Sequence, residues 1–220
     1  MFKEIIIDQE DITLKGHITT TSNPRSWVIF AHGSGSSRKS SRNNWVATEL
    51  NNRGHATLLF DLLTPEEDLD YQNRFDIPLL AERLKIATEW LLSSPDYHGE
   101  PIVYFGASTG AGAALLATSD LSERIPLISV ISRGGRPDLA GAGALQKIAI
   151  PVLLIVGSLD EEVITLNEMA LAQLQNGRLE LVEGATHLFE EAGKLGEVVE
   201  LCTNWLDEQL SLNSNVSGTI

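Results

Sequence analysis

Ser108, Asp160 and His187 are the side chains whose types and order could carry out nucleophilic chemistry on a carbonyl. A serine hydroxyl attacks poorly until a base takes its proton, and the base needs a third group to orient it. Ser108 lies in Gly106-Ala107-Ser108-Thr109-Gly110, where an apolar run turns into a stretch of small residues. A tight strand-to-helix turn of this kind lifts the central hydroxyl above the sheet edge. The pentapeptide is short, and it also describes a glycine-rich turn or a phosphate grip. It lacks the Gly-Lys-Ser/Thr of a P-loop and the spacing of a dinucleotide fingerprint.

The order of partners strengthens the chemical reading. The run PVLLIVG is followed by Ser158-Leu159-Asp160, so Asp160 falls just beyond a strand end. The run RLELVEG is followed by Ala185-Thr186-His187, and His187 is the only histidine after Ser108. Serine, acid and histidine in that order, each beyond a different strand, can be gathered by one sheet. Two alternatives stay open: Asp160 could cap the helix that follows it, and Glu161, Glu162 and Asp138 are rival acids.

A second segment, VIFAHGSGSSRKSSRNNWVA, begins as a strand and ends as a helix, with His32-Gly33-Ser34-Gly35 between. A backbone N–H from this loop, assigned to Ser34, would join the N–H of Thr109 in binding an oxyanion. His32 is expected to hydrogen-bond within the loop and not to act as the base. His17, His55 and His98 are read as surface or edge residues.

These side chains need a sheet to hold them. Strands are expected at Lys3–Asp8, Ile12–Thr19, Trp27–His32, Ala56–Asp61, Ile102–Gly106, Pro126–Ile131, Val152–Gly157 and Arg178–Val182. The first two alternate in polarity, as an antiparallel edge hairpin does, whereas the later ones are nearly continuous Val, Ile, Leu and Phe, as in a parallel sheet covered on both faces. Helices are expected at Arg42–Asn52, Thr109–Ala117, Asp138–Lys147 and Leu166–Gln175. Leu80, Leu84, Ala87 and Leu91 form one helical face, and Val198, Cys202, Trp205 and Leu206 form another. Strand–helix alternation after a hairpin implies an α/β sandwich with right-handed crossovers. The expected organisation is one domain over residues 1–210 and a flexible tail over 211–220.

Composition excludes other classes. The chain has 220 residues, enough for one sizeable core. Its net charge of −14 repels phosphate backbones and anionic membranes, so neither nucleic acid nor membrane is an expected partner. The single cysteine, Cys202, sits in an apolar pattern and reads as core. The N-terminus lacks the apolar stretch of a signal peptide, and no run approaches the roughly 18–20 apolar residues of a membrane span. A cytoplasmic protein is expected.

Together HGSG, GASTG, the position of Asp160 and ATH at 185–187 resemble the α/β-hydrolase superfamily. The size and the lack of a large cap insertion are similar to its dienelactone-hydrolase-like group. The resemblance runs from Trp27 to Leu206. It implies a three-layer sandwich around an eight-stranded, mostly parallel sheet, and hydrolysis of an ester-like bond through an acyl-enzyme. Dienelactone hydrolases proper carry a cysteine where this chain has Ser108, so serine-esterase chemistry fits better than dienelactone as substrate. HGSGSSRKSSRN, SRGGRPDL and ATHLFEE also resemble small bacterial hydrolases of unassigned substrate, some of them fused to phosphoribosyltransferase-like domains.

In the implied mechanism His187 takes the Ser108 proton, Asp160 fixes the imidazole, and Thr109 and Ser34 bind the oxyanion. No metal or organic cofactor is needed, and the partner is a small ester-like molecule. Arg38, Arg42, Arg133 and Arg136 follow strand ends. If they converge on the cleft they favour an anionic substrate; otherwise they are surface arginines paired with the abundant acids. The loop LLTPEEDLDYQNRF could overhang the pocket. A non-catalytic ligand-binding scaffold and an acyltransferase with the same triad are the competing readings.

Overall fold

The computed structural model describes residues 1–9, 11–121 and 124–217, with nothing drawn from the side chains of 215–217. Eight strands form one sheet: β1 (Phe2–Gln9), β2 (Ile12–Thr19), β3 (Trp27–Ala31), β4 (Ala56–Phe60), β5 (Ile102–Ala107), β6 (Leu127–Arg133), β7 (Val152–Gly157) and β8 (Gly177–Val182). Their spatial order is β1-β2-β4-β3-β5-β6-β7-β8. β1 and β2 pair antiparallel, as do β2 and β4, and every later pair is parallel.

Among the described residues six α-helices flank the sheet: α1 (Ser41–Asn52), α2 (Ile77–Leu92), α3 (Thr109–Ser119), α4 (Ala142–Leu145), α5 (Glu161–Leu171) and α6 (Lys194–Ser217). The alternation of side chains along each strand divides the interior in two. Along β5, Ile102 and Tyr104 enter a core with Leu80, Leu84, Ala87 and Leu91 of α2, while Val103 and Phe105 enter a second core with Val46 of α1 and Val198, Cys202, Trp205 and Leu206 of α6. Cys202 is fully buried and its thiol is pushed up to about 12 by burial, which keeps it an inert packing residue.

Three helical expectations change. The helix expected over 138–147 is a 3-10 turn at Pro137–Ala140 followed by the one-turn α4, because Gly141 between them takes the left-handed φ of 80°. α5 starts at Glu161 rather than Leu166, directly after Asp160, and ends at Leu171. α6 runs on to Ser217, so the segment expected to be a tail from 211 begins as helix; residues 218–220 lie outside the described residues. His55 is fully buried and His17 nearly so, against the expectation of surface or edge positions, whereas His98 is exposed. His55 stands just before β4, where its Nδ1 meets the Oγ of Ser26, the residue before β3, at 2.9 Å.

Candidate active site

Ser108 links β5 to α3 with φ 50° and ψ −122°, a left-handed conformation rare for a residue with a side chain. The turn is held by β6 and the segment that follows it: Ser108 N–H donates to Arg133 O at 3.3 Å, and Ser108 O accepts from Arg136 N–H at 3.0 Å. The flanking glycines are required by close approach. A Cβ on Gly106 would stand 2.4 Å from Ala111 Cα, and one on Gly110 would stand 2.1 Å from Ala31 O. α3 is therefore pressed against the ends of β3 and β5, and strain is concentrated at the serine.

Asp160 and His187 arrive from the next strands. Asp160 follows β7 and His187 follows β8, and the two loops are stitched together. Leu159 N–H donates to Ala185 O at 3.0 Å, Ser158 N–H to Val182 O at 2.9 Å, and Gly184 N–H to Ser158 Oγ at 2.7 Å. Gly157 makes the approach possible, since a Cβ there would lie 2.3 Å from Ala185 O. The histidine turn is closed from its far side. Glu191 Oε1 accepts from Thr186 Oγ1 at 2.5 Å and from Thr186 N–H at 3.2 Å, and Phe189, with φ 56°, is buried beneath.

Asp160 occupies the N-cap position of α5 but makes no side-chain cap bond. Its Oδ2 instead accepts from His187 Nδ1 at 2.7 Å. A carboxylate can only accept, so Nδ1 carries the proton and Nε2 is left with a lone pair. The rival acids are elsewhere engaged or exposed. Asp138 forms a two-pronged pair with Arg136 at 2.9 and 2.8 Å, and Glu161 and Glu162 are exposed in the first turn of α5. Gly134, the residue after β6, lies between the serine and histidine turns, with the position of a Cβ 3.7 Å from His187 Nδ1. Among the described residues Ser108 Oγ has no hydrogen-bond partner.

The loop after β3 lies against the serine: a Cβ on Gly33 would be 3.0 Å from Ser108 Cβ. His32 organises this loop. Its Nε2 accepts from Leu62 N–H at 3.0 Å, so its Nδ1 holds the proton and donates to Gly33 O at 3.0 Å. Burial lowers its pKa, consistent with a neutral ring fixed in one tautomer. Ser34 N–H does not point to open space; it donates to Thr109 Oγ1 at 2.8 Å. The Thr109 hydroxyl in that contact has no role in the expected mechanism, which used only the Thr109 backbone.

The four arginines do not converge. Arg38 pairs with Asp61 at 2.6 Å, Arg42 with Glu190 at 2.5 Å and Arg136 with Asp138. Arg133 is buried on the α1 and α6 side, where Nη2 donates to Asn43 Oδ1 at 3.3 Å, and burial with Arg42 nearby lowers its pKa to about 10. The acidic loop after β4 is tied to cations: Glu67 to Arg83, and Asp68 to Arg74 at 2.7 Å. Among the described residues no group of three or more His, Cys, Asp or Glu could hold a metal ion.

A cleft opens beside the loop after β3, and the segment LLTPEEDLDYQNRF, expected to overhang a pocket, lines part of it. It encloses about 690 Å³ of empty space open to solvent, between Gly33–Ser37, Asp61–Pro65 and Leu80. Lys15 and Arg74 also line it. Its walls come from segments far apart in the chain, so only the assembled sheet reveals it.

A mostly parallel sheet covered on both faces, with a strained serine after β5, an acid after β7 and a histidine after β8, has the architecture of the α/β-hydrolase fold. Within that fold the chain belongs to the dienelactone-hydrolase family. It is 47% identical to a dienelactone hydrolase from Anabaena variabilis ATCC 29413, over 95% of this chain and 98% of that one, with a TM-score of 0.90. The esterase Est1E from Butyrivibrio proteoclasticus shares the fold at 18% identity and a TM-score of 0.79, over 94% of this chain and 99% of that one. Two Mycobacterium tuberculosis proteins, provisionally named phosphoribosyl transferases, are 50% identical over 94% of this chain and 46% of their own length. The chain thus spans about half the length of the curated relatives it matches. No family profile matches it. Among the described residues no helix is long and apolar enough to cross a membrane.

Proposed function

We propose that the chain is a serine hydrolase of the cytoplasm that cleaves an ester-like bond of a small molecule through an acyl-enzyme. The observation that carries this reading is the Asp160–His187 hydrogen bond of 2.7 Å, which fixes the proton on Nδ1 of an imidazole packed against Gly134, the residue next to the Arg133 carbonyl that accepts from Ser108 N–H. In the first step Ser108 Oγ attacks the carbonyl carbon as His187 Nε2 takes its proton. The carbonyl oxygen becomes an oxyanion against Thr109 N–H and the Ser34 side of the loop. His187 then returns the proton to the leaving alcohol, and the ester bond breaks. Water, deprotonated by His187, releases the acid and restores Ser108. Asp160 stabilises the imidazolium in both halves. No cofactor enters these steps.

The cleft beside Gly33–Ser37 suits the part of the substrate beyond the carbonyl. Leu62, Leu63 and Leu80 offer an apolar wall, and Lys15, which has no carboxylate partner among the described residues, favours an anionic end group. Arg38, Arg42 and Arg136 are already paired with carboxylates.

The test is hydrolysis of p-nitrophenyl acetate by the wild type and by Ser108→Ala. Turnover lost in the variant supports the reading. Release of the acyl group to added alcohols or thiols faster than to water would reassign the protein as an acyltransferase. A folded wild type that neither hydrolyses nor is acylated would be a binding scaffold.

A further inference from the structure

Thr109 Oγ1 accepts the Ser34 N–H at 2.8 Å, so the amide expected to face an oxyanion is committed to a side chain. Thr109 is almost fully buried, and its hydroxyl proton has no acceptor among the described residues. The hydroxyl directly follows Ser108 in the chain, at the first residue of α3. The close packing of Gly110 on Ala31 O and His32 O fixes α3 against the β3 loop from which Ser34 projects. The same loop is pinned by His32, which donates to Gly33 O at 3.0 Å.

We infer that the Thr109 side-chain hydroxyl is a donor of the oxyanion hole, and that Ser34 N–H acts through it. This rests on the reading of Ser108 as the nucleophile. A hydroxyl that accepts one hydrogen bond becomes a better donor of its own, because the bonds in a chain polarise one another. Ser34 N–H polarises Thr109 Oγ1, and the Thr109 O–H donates to the oxyanion formed on attack. The proton stays on Oγ1 throughout, so no group is transferred. Thr109 would then contribute two donors, its backbone N–H and its hydroxyl. This arrangement suits a small, dry site, because a backbone amide is recruited without moving the loop.

The test compares Thr109→Val, which keeps the shape and removes the hydroxyl, with Thr109→Ser, which keeps it. Both are measured with p-nitrophenyl acetate and with a fluorophosphonate probe. Loss of one oxyanion donor is worth about 100-fold in rate. We expect kcat to fall about that much in Thr109→Val, with KM within threefold and the thermal midpoint within a few degrees. Thr109→Ser should recover most of the loss. Labelling by the probe should slow in the same order, because phosphonylation develops the same oxyanion. A Thr109→Val protein within threefold of wild type would overturn the inference and return the donor role to Ser34 N–H, freed by the substitution. A loss seen in KM and stability, with kcat kept, would overturn it in favour of a loop-pinning role. A wild type that is folded but not labelled at Ser108 would overturn the nucleophile reading and this inference with it. Labelling of Ser108 at equal rates in wild type and Thr109→Val would overturn the inference alone.

Discussion

His187 Nδ1 donates to Asp160 Oδ2 at 2.7 Å, although Asp160 stands at the N-cap position of α5, where an aspartate ordinarily serves its own helix. The carboxylate is diverted because the loops after β7 and β8 are joined by three hydrogen bonds that bring the imidazole within reach. The helix gives up a side-chain cap and the imidazole of His187 gains a fixed orientation.

Substitution of that carboxylate removes the orientation without removing the shape. Asp160→Asn can donate to Nδ1 and stabilise the wrong tautomer, so kcat for p-nitrophenyl acetate should fall about 10³–10⁴-fold. Glu161→Gln and Glu162→Gln, exposed on α5, should stay within twofold. Steady-state kinetics on the three variants check this, and equal losses in all three would remove Asp160 from the account.

The approach of the two loops depends on Gly157. A methyl group there would meet Ala185 O at 2.3 Å and Thr186 O at 2.6 Å, both fixed backbone atoms. Gly157→Ala should therefore cost about 3 kcal/mol of stability, at the upper end for overpacking. It should also slow Ser108 labelling, because the histidine turn is pushed away from Asp160. Urea denaturation and labelling rate measure the two effects, and a variant as stable as wild type would contradict the packing described.

Stability should fall with acidity through buried histidine. His55 is held at about 4, first by burial and then by Arg25, against 6.5 for the free side chain. The unfolded chain therefore binds a proton that the folded chain refuses between about pH 6.5 and 4. The stability from this residue is full above 6.5 and is lost as pH falls through that window. The loss amounts to about 3 kcal/mol at its lower end. His55→Gln, which does not titrate, should show a shallower decline over the same range in denaturant titrations. Identical slopes would sink the assignment.

Charge in the cleft should select substrates. Lys15→Met should lower kcat/KM for p-nitrophenyl hemisuccinate about fivefold, the worth of one partly solvated ion pair. Hydrolysis of p-nitrophenyl acetate should be unchanged. Equal effects on both esters would place the acyl chain elsewhere.

The sheet was legible because β3, β4, β5 and β7 are fully buried along their whole length and read as nearly continuous apolar runs. Ser108 and Asp160 could be named because each stands just past such a run, β5 and β7, whereas His187 follows the half-exposed β8 and was legible as the one histidine after Ser108. α5 was misplaced because its first turn, Glu161 and Glu162, faces solvent and breaks the apolar pattern that begins only at Val163. The burial of His55 and the pairing of the arginines depend on neighbours distant in sequence: Ser26 for His55, Glu190 for Arg42, Asn43 for Arg133. The contact from Ser34 N–H to Thr109 Oγ1 spans 75 positions, and no local pattern announces it.

The measurement that tests the central claim most directly is active-site titration with a fluorophosphonate on the wild type, Ser108→Ala and His187→Ala. The account predicts one label per wild-type chain, none on Ser108→Ala, and labelling slowed at least 100-fold on His187→Ala, because an unassisted serine hydroxyl barely reacts. A folded wild type that takes up no label, or one that labels as fast without His187, would contradict it.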